Sequence, residues 1–84
     1  MISLLNLKYL GNEQFAVAFS DGSEGLFNLH AYLANRQGSL LLPLREEAYV
    51  ARAFVESGAM AWPNGLELAP QRVLEMTQLV KRAA

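Results

Sequence analysis

Alternating apolar and polar residues dominate the first third of the chain, and this two-residue period is typical of β-strands. Residues 2–10 predict a first strand, which ends at the turn-forming pair Gly11 and Asn12. Residues 14–20 predict a second strand, in which large apolar side chains alternate with alanines. Because large apolar side chains gain most from burial, we expect the core face of this strand to consist of Phe15, Val17 and Phe19.

The pair Asp21-Gly22 predicts a tight hairpin after the second strand. A two-residue Asp-Gly loop between apolar runs favours a type I′ turn, whose twist matches that of its strands. Counting outward from such a turn places Val17 opposite Leu26. Residues 23–28 are therefore predicted as a third strand, antiparallel to the second.

A short helix is predicted directly after this meander. Asn28 carries a side-chain oxygen suited to an N-cap, and apolar residues recur at helical spacing from Leu29 to about residue 35. Residues 40–44 are apolar, but Pro43 lacks the N–H group that a helix interior or a central strand requires. We therefore expect an extended connection with buried leucines in that segment.

Residues 45–56 fit two different structures. Their alanines, glutamates and arginines favour one continuous helix. The alternation at the end of the segment instead favours a helical turn over residues 45–49 and a strand over residues 51–56. We favour the strand, because Ser57-Gly58 then forms a second hairpin that places Val55 opposite Met60.

The segment Trp62-Pro63-Asn64-Gly65, called here the Trp-Pro-Asn-Gly turn, contains the only tryptophan of the chain. Proline withdraws a donor from a strand ladder and Asn-Gly accepts left-handed backbone geometry, so a strand over residues 59–62 is expected to end here. Pro70 is of the type favoured at the first position of a helix. A C-terminal helix is therefore predicted from Pro70 to about Arg82, with an apolar stripe made of Val73, Leu74, Met76, Leu79 and Val80.

Together these elements predict an α+β fold in a single domain that covers residues 1–84. The predicted sheet is small and antiparallel, and it combines a three-strand meander with a second hairpin. A short middle helix joins these two parts, and the C-terminal helix packs on one face of the sheet. A domain of this size buries only about 60% of the surface of its unfolded chain, so its stability is modest or shared with a partner.

Composition and charge remove several functional classes. The chain has no cysteine, which excludes disulfides, thiolate nucleophiles and thiolate metal sites. Its formal net charge of -1 gives no basic field for a phosphate backbone, so nucleic-acid binding by this domain alone is not expected. The N-terminus lacks a signal-peptide pattern, and no apolar run approaches the roughly 18 residues of a membrane span. We therefore expect a soluble cytoplasmic protein.

The chain shows no recognisable catalytic or cofactor-binding arrangement. His30 is the only histidine, and its place early in a short helix predicts a solvated surface residue. Asp21, Glu24 and Glu67 are scattered without the spacing of metal ligands. The glycines around the first hairpin lack the strand-to-helix pattern of a phosphate loop. We expect no enzyme activity, no metal and no cofactor.

Two surfaces are candidates for binding a partner. The Trp-Pro-Asn-Gly turn would form a recognition loop if Trp62 were exposed, although a tryptophan buried under the last helix is the favoured interpretation. Part of the apolar stripe, including Met76 and Val80, would meet another subunit if the sheet does not cover it. The alternative hypothesis is a small-ligand pocket between Trp62, Tyr49 and the last helix.

The sequence resembles the bacterial family called domain of unknown function 2442, and the resemblance covers nearly the whole chain. Its most specific part is the Trp-Pro-Asn-Gly turn followed by Leu68 and Pro70. Asn28 and Ala69 depart from the family pattern, in which a carboxylate or another capping residue is typical. The more generic matches are Asp21, Gly22, Leu26, Leu29, Leu44 and Tyr49.

This resemblance implies a small α+β module without an established activity. Family members are sometimes fused to a helix-turn-helix domain, and others are encoded beside a small companion protein in an arrangement like a toxin-antitoxin pair. No catalytic residue follows from the resemblance. Together with the absence of catalytic groups and an apolar content of 52%, it predicts a non-enzymatic protein-interaction module, antitoxin-like or regulatory, or a homodimer.

Overall fold

The computed structural model describes residues 1–34, 36 and 38–82. In chain order, its strands are β1 (Leu4–Gly11), β2 (Gln14–Phe19), β3 (Glu24–Asn28), β4 (Phe54–Glu56), β5 (Ala59–Ala61), β6 (Glu67–Leu68) and β7 (Thr77–Lys81). Its helices are α1 (Leu29–Leu33), α2 (Glu47–Val50) and α3 (Pro70–Met76), and a 3₁₀ helix spans Ser39–Arg45. The predicted α+β class is confirmed.

The strands form two antiparallel sheets that share one hydrophobic core. The larger sheet has the strand order β1-β2-β3-β7, and the smaller sheet has the order β4-β5-β6. The predicted core face of β2 is confirmed, since all three of its large side chains are buried. The core joins the inner face of the larger sheet to the smaller sheet and the helices, and it consists of Leu4, Phe15, Val17, Phe19, Phe27, Leu29, Leu44, Val50, Met60, Trp62, Leu68 and Val73.

The hairpin between β2 and β3 exists, but its predicted register is wrong by one residue. Val17 lies opposite Gly25 instead of Leu26. The reason is a three-residue loop, in which the Phe19 N–H donates to the carbonyl of Ser23 at 2.9 Å and Gly22 adopts a φ of 92°. Because a one-residue shift moves every side chain to the opposite face, Phe27 points into the core and Leu26 points out of it.

The segment after β3 confirms the short helix and corrects the connection that follows it. The Asn28 side chain caps α1 by accepting a hydrogen bond from the N–H of Ala31 at 3.3 Å. The predicted helix end at Asn35 and the side chain of Leu40 lie outside the described residues. Ser39–Arg45 is a 3₁₀ helix instead of the predicted extended connection. A 3₁₀ turn tolerates Pro43, because the fixed φ of proline fits its geometry and only one donor is lost.

Residues 45–56 follow the favoured alternative, a helical turn followed by a strand, but with different bounds. The helix α2 covers Glu47–Val50, and the strand β4 begins only at Phe54, so neither a continuous helix nor a strand from residue 51 is present. The predicted pairing of Val55 with Met60 is confirmed. The alternating pattern therefore gave the correct register of this hairpin but an overlong strand.

The Ser57-Gly58 loop of this hairpin provides a test of stability. Both residues have positive φ, 51° at Ser57 and 83° at Gly58, as a type I′ turn requires. Serine is disfavoured in this left-handed conformation, whereas asparagine tolerates it. We expect Ser57→Asn to raise the free energy of unfolding by about 0.5–1 kcal/mol, and the melting temperature by about 2–8 °C.

Thermal unfolding followed by circular dichroism measures this shift in melting temperature. Ser57→Ala is the matched control, because it also removes the hydroxyl group but gains no tolerance of positive φ. The alanine variant should be no more stable than the original chain. An equal gain in both variants would contradict the explanation by backbone conformation.

The predicted C-terminal helix is correct at its start and wrong at its end. It begins at Pro70 without a side-chain cap on Ala69, as expected, but it stops at Met76. The hydroxyl group of Thr77 donates to the carbonyl of Val73 at 2.6 Å, which satisfies one of the acceptors left open at a helix end. The chain then continues as β7 and pairs with β3, so tertiary pairing overrides the helical pattern here.

A glycine makes the pairing of β3 with β7 possible. Gly25 lies directly opposite Leu79. A Cβ atom added at Gly25 would collide with the backbone oxygen of Gln78 and would lie 2.9 Å from the Cα of Leu79. The absence of a side chain at this position therefore lets the backbone of β7 approach the sheet.

Candidate functional site

The Trp-Pro-Asn-Gly turn joins β5 to β6 as a hairpin loop. The N–H of Trp62 donates to the carbonyl of Leu66 at 3.0 Å, and the N–H of Gly65 donates to the carbonyl of Trp62 at 3.1 Å. Gly65 adopts a φ of 93°, which closes a loop of three residues. The turn was predicted to end a strand, whereas the return strand β6 was not predicted.

Hydrogen bonds tie this turn to α2. The indole Nε1 of Trp62 donates to the carbonyl of Val50 at 3.2 Å, and the Trp62 side chain is only 1% exposed. The hydroxyl group of Tyr49 accepts a hydrogen bond from the N–H of Asn64 at 2.9 Å. The predicted burial of Trp62 is confirmed, and its one polar atom is used within the fold.

The other two predicted interaction residues lie on different elements. Met76 ends α3 and packs, half-buried, against the core. Val80 lies in β7 at an irregularity in the pairing with β3, and it is 73% exposed. The predicted single helical stripe is therefore divided between a helix and a strand, because α3 ends at Met76.

The outer face of the larger sheet, on the side opposite the core, is a surface that sequence reasoning missed. The pairing of β1, β2 and β3 places Lys8, Ala16 and Leu26 side by side across it. The next row along the strands contains Asn6, Ala18 and Glu24. A cleft of about 300 Å³ on this face is lined in part by Lys8, Ala16, Ala18 and Glu24.

The centre of the outer face is apolar, and the polar residues Asn6, Lys8, Glu24 and Gln78 lie beside it in the same two rows. Ala16, Ala18 and Leu26 are half-buried, although none belongs to the core cluster or packs against it within the described chain. In an antiparallel sheet with one solvated face, the residues that point to solvent are usually polar. An apolar centre with a polar rim is instead the arrangement of a protein interface. These apolar residues can be read from the sequence, but only the correct register of β3 places Leu26 on the same face as the two alanines.

A cluster of polar side chains lies at the loop between β1 and β2. Oε2 of Glu13 lies 3.2 Å from Nδ1 of His30, whose side chain is 80% exposed, as predicted for a surface histidine. This carboxylate oxygen is itself buried, and it accepts no well-aligned hydrogen bond from the described residues. Asn12 and Glu13 both have positive φ, 53° and 61°, so the loop holds a glutamate in a conformation that favours glycine.

Tyr9 connects this loop to α2. Its hydroxyl group donates to Oε2 of Glu47 at 3.0 Å and accepts from the N–H of Glu13 at 3.1 Å. Loss of solvent contact raises the pKa of Tyr9, and the hydrogen bond to the Glu47 carboxylate raises it further. The phenol therefore stays protonated and keeps donating to Glu47.

The described residues show clefts at this loop and no metal-binding cluster. One cleft of about 610 Å³ and a neighbouring cleft of about 350 Å³ share Glu13, His30 and Arg45. Neither of them, nor the cleft on the outer face, is lined by Trp62 or Tyr49. Within the described ranges, no three histidine, aspartate or glutamate side chains gather as metal ligands would. No helix in those ranges has the length and apolar character to cross a membrane.

No protein-family model, curated protein or solved structure matches this chain. Among the described residues, the outer face of the larger sheet offers an apolar centre, and the cleft beside the β1–β2 loop offers leucines together with charged side chains.

Proposed function

We propose that this protein is a non-enzymatic protein-interaction module, of an antitoxin-like or regulatory kind, that binds its partner through the outer face of the larger sheet. The observation that carries the proposal is the apolar centre of that face, formed by Ala16, Ala18 and Leu26. Small side chains leave the backbone of the sheet accessible, so a second layer can approach closely. A domain of two packed layers gains stability when such a face is covered.

The arrangement of charge favours a second copy of the chain as the partner. Lys8 lies on one side of the apolar centre and Glu24 lies on the other, in neighbouring rows. In a two-fold contact each surface patch meets itself in the opposite order. With the two-fold axis along β2, β1 of one copy faces β3 of the other, and Lys8 approaches Glu24 of the second copy at two places.

A charge placed in the apolar centre tests this proposal. Ala16→Glu should abolish self-association, because a carboxylate would be buried without a partner in the interface. Within one copy the new side chain lies opposite Lys8. At a protein concentration at which both chains are monomeric, the free energy of unfolding should therefore change by no more than about 0.5 kcal/mol. Sedimentation velocity over a range of protein concentrations measures the association, and urea unfolding measures the stability.

Ala48→Glu is the matched control, because Ala48 is exposed on α2, away from the outer face. It should leave association unchanged. The same two variants are then tested for binding to the product of the neighbouring gene, which separates a second copy from a companion protein. A chain that is monomeric at every concentration and ignores that product would overturn the proposal.

We also propose, as a separate point, that the chain is related to domain of unknown function 2442 and acts in the cytoplasm. The support is the resemblance at the Trp-Pro-Asn-Gly turn, which is followed by Leu68 and Pro70. The hypothesis of a ligand pocket beside Trp62 and Tyr49 stays a prediction.

A further inference from the structure

The cleft of about 610 Å³ beside the β1–β2 loop has the size and lining of a small-molecule site. Such sites usually measure roughly 300–1,000 Å³ and combine an apolar surface with a few polar groups. Here the apolar part is formed by leucines of α1 and of the 3₁₀ helix, among them Leu33, Leu41 and Leu44. The polar part consists of Glu13, His30, Arg36 and Arg45.

The charge balance of this cleft is positive. The carboxylate of Glu13 lies 3.2 Å from His30, so it is directed at the imidazole. Neither Arg36 nor Arg45 has a carboxylate within ion-pair distance among the described residues. The nearby Glu47 accepts a hydrogen bond from Tyr9. The guanidinium groups of Arg36 and Arg45 are therefore available to bind an anion.

One of these guanidinium groups is already held in position. Arg36 stacks over the ring of Tyr32, with 4.7 Å between its Cζ atom and the ring centroid. A guanidinium group fixed in this way loses less freedom when it binds, and its planar fork matches a carboxylate. The left-handed backbone at Glu13 is a second unusual feature of the same cleft, and strained backbone often occurs at functional sites.

We propose that this cleft binds a small organic carboxylate with an apolar body. Arg36 and Arg45 receive the carboxylate, and the apolar body lies on Leu33, Leu41 and Leu44. This site is separate from the outer face of the larger sheet, so ligand binding and self-association can be tested independently of each other.

Chemical-shift titration of the full chain tests this assignment. The probes are phenylacetate and octanoate, each compared with its neutral amide, phenylacetamide and octanamide. We expect saturable shifts at the backbone amides of Leu33, Leu41 and Arg45 with the carboxylates, and at least tenfold weaker binding of the amides. The absence of saturable shifts with both carboxylates would overturn the proposal, as would equal binding of the amides.

Two variants locate the site. Arg45→Gln and Arg36→Gln should each weaken carboxylate binding about tenfold or more, because each removes a charged donor from the anion. Both side chains are exposed, so the fold should persist, as the unchanged amide spectrum of the remaining residues would show. Arg72→Gln on α3 is the matched control and should bind like the original chain. Unchanged affinity in both cleft variants would overturn the assignment.

Discussion

Replacing Trp62 with alanine is expected to lower the free energy of unfolding by about 3–5 kcal/mol. The indole ring is 1% exposed and lies within the core cluster, so its removal leaves a cavity that the short surrounding elements cannot fill. The carbonyl of Val50 also loses its donor at 3.2 Å. Urea unfolding followed by circular dichroism measures the loss without depending on tryptophan fluorescence.

Trp62→Phe is the control that separates the ring from its polar atom. Phenylalanine keeps most of the apolar volume but donates no hydrogen bond to Val50, so an intermediate loss of about 1–3 kcal/mol is expected. A Trp62→Ala variant that keeps its full stability but no longer binds a partner would contradict the structural role. It would identify Trp62 as a recognition residue instead.

The second large effect is expected from Gly25→Ala, which should destabilise the chain by about 1–3 kcal/mol. The added methyl group would collide with the backbone of β7 at Gln78, so β7 must move away from β3. Amide hydrogen exchange should therefore show reduced protection in β7 together with the lower stability.

Glu24→Ala is the control for this prediction. It changes the neighbouring residue of β3, whose side chain is exposed and makes only a long contact of 3.9 Å with Lys81. At a protein concentration at which the chain is monomeric, its effect should stay within about 0.5 kcal/mol, and β7 should keep its protection. If Gly25→Ala left both the stability and the protection of β7 unchanged, the close approach of these two strands would be contradicted.

Local patterns along the chain predicted the elements that local chemistry controls. Asn28 caps α1, Pro70 starts α3, and Ser57-Gly58 sets the pairing of Val55 with Met60. Each of these features depends on residues that are close together in the sequence. For the same reason the α+β class and the core face of β2 were predictable.

The features that depend on distant residues were not predictable from these patterns. The apolar residues within 77–81 fit the spacing of a helix. They form a strand because they pair with the edge of β3, where Gly25 allows a close approach. The register of the first hairpin was wrong because Asp21-Gly22 forms part of a three-residue loop. The one extra residue in this loop shifts the register of β3, and the register decides whether Leu26 faces the core or the outer face.

The candidate surfaces show the same division. Burial of Trp62 was predicted from the general tendency of tryptophan to be buried, and it is confirmed. The outer face required the register of three strands. The cleft beside the β1–β2 loop is lined by Glu13, Arg36 and Arg45, which come from separate segments of the chain. Neither surface has a spacing along the chain that identifies it.

The position of β7 also makes its pairing the least local in the larger sheet. The β1–β2–β3 meander and the β4–β5–β6 meander each form from neighbouring segments, whereas the pairing of β3 with β7 closes a loop between distant parts of the chain. Such closure is entropically costly, and it slows folding. Until β7 arrives, β3 is an open edge whose backbone groups lack a partner, and Gly25 offers no side chain to protect that edge. Any partly folded state that lacks β7 would therefore leave the larger sheet open to mispairing at β3.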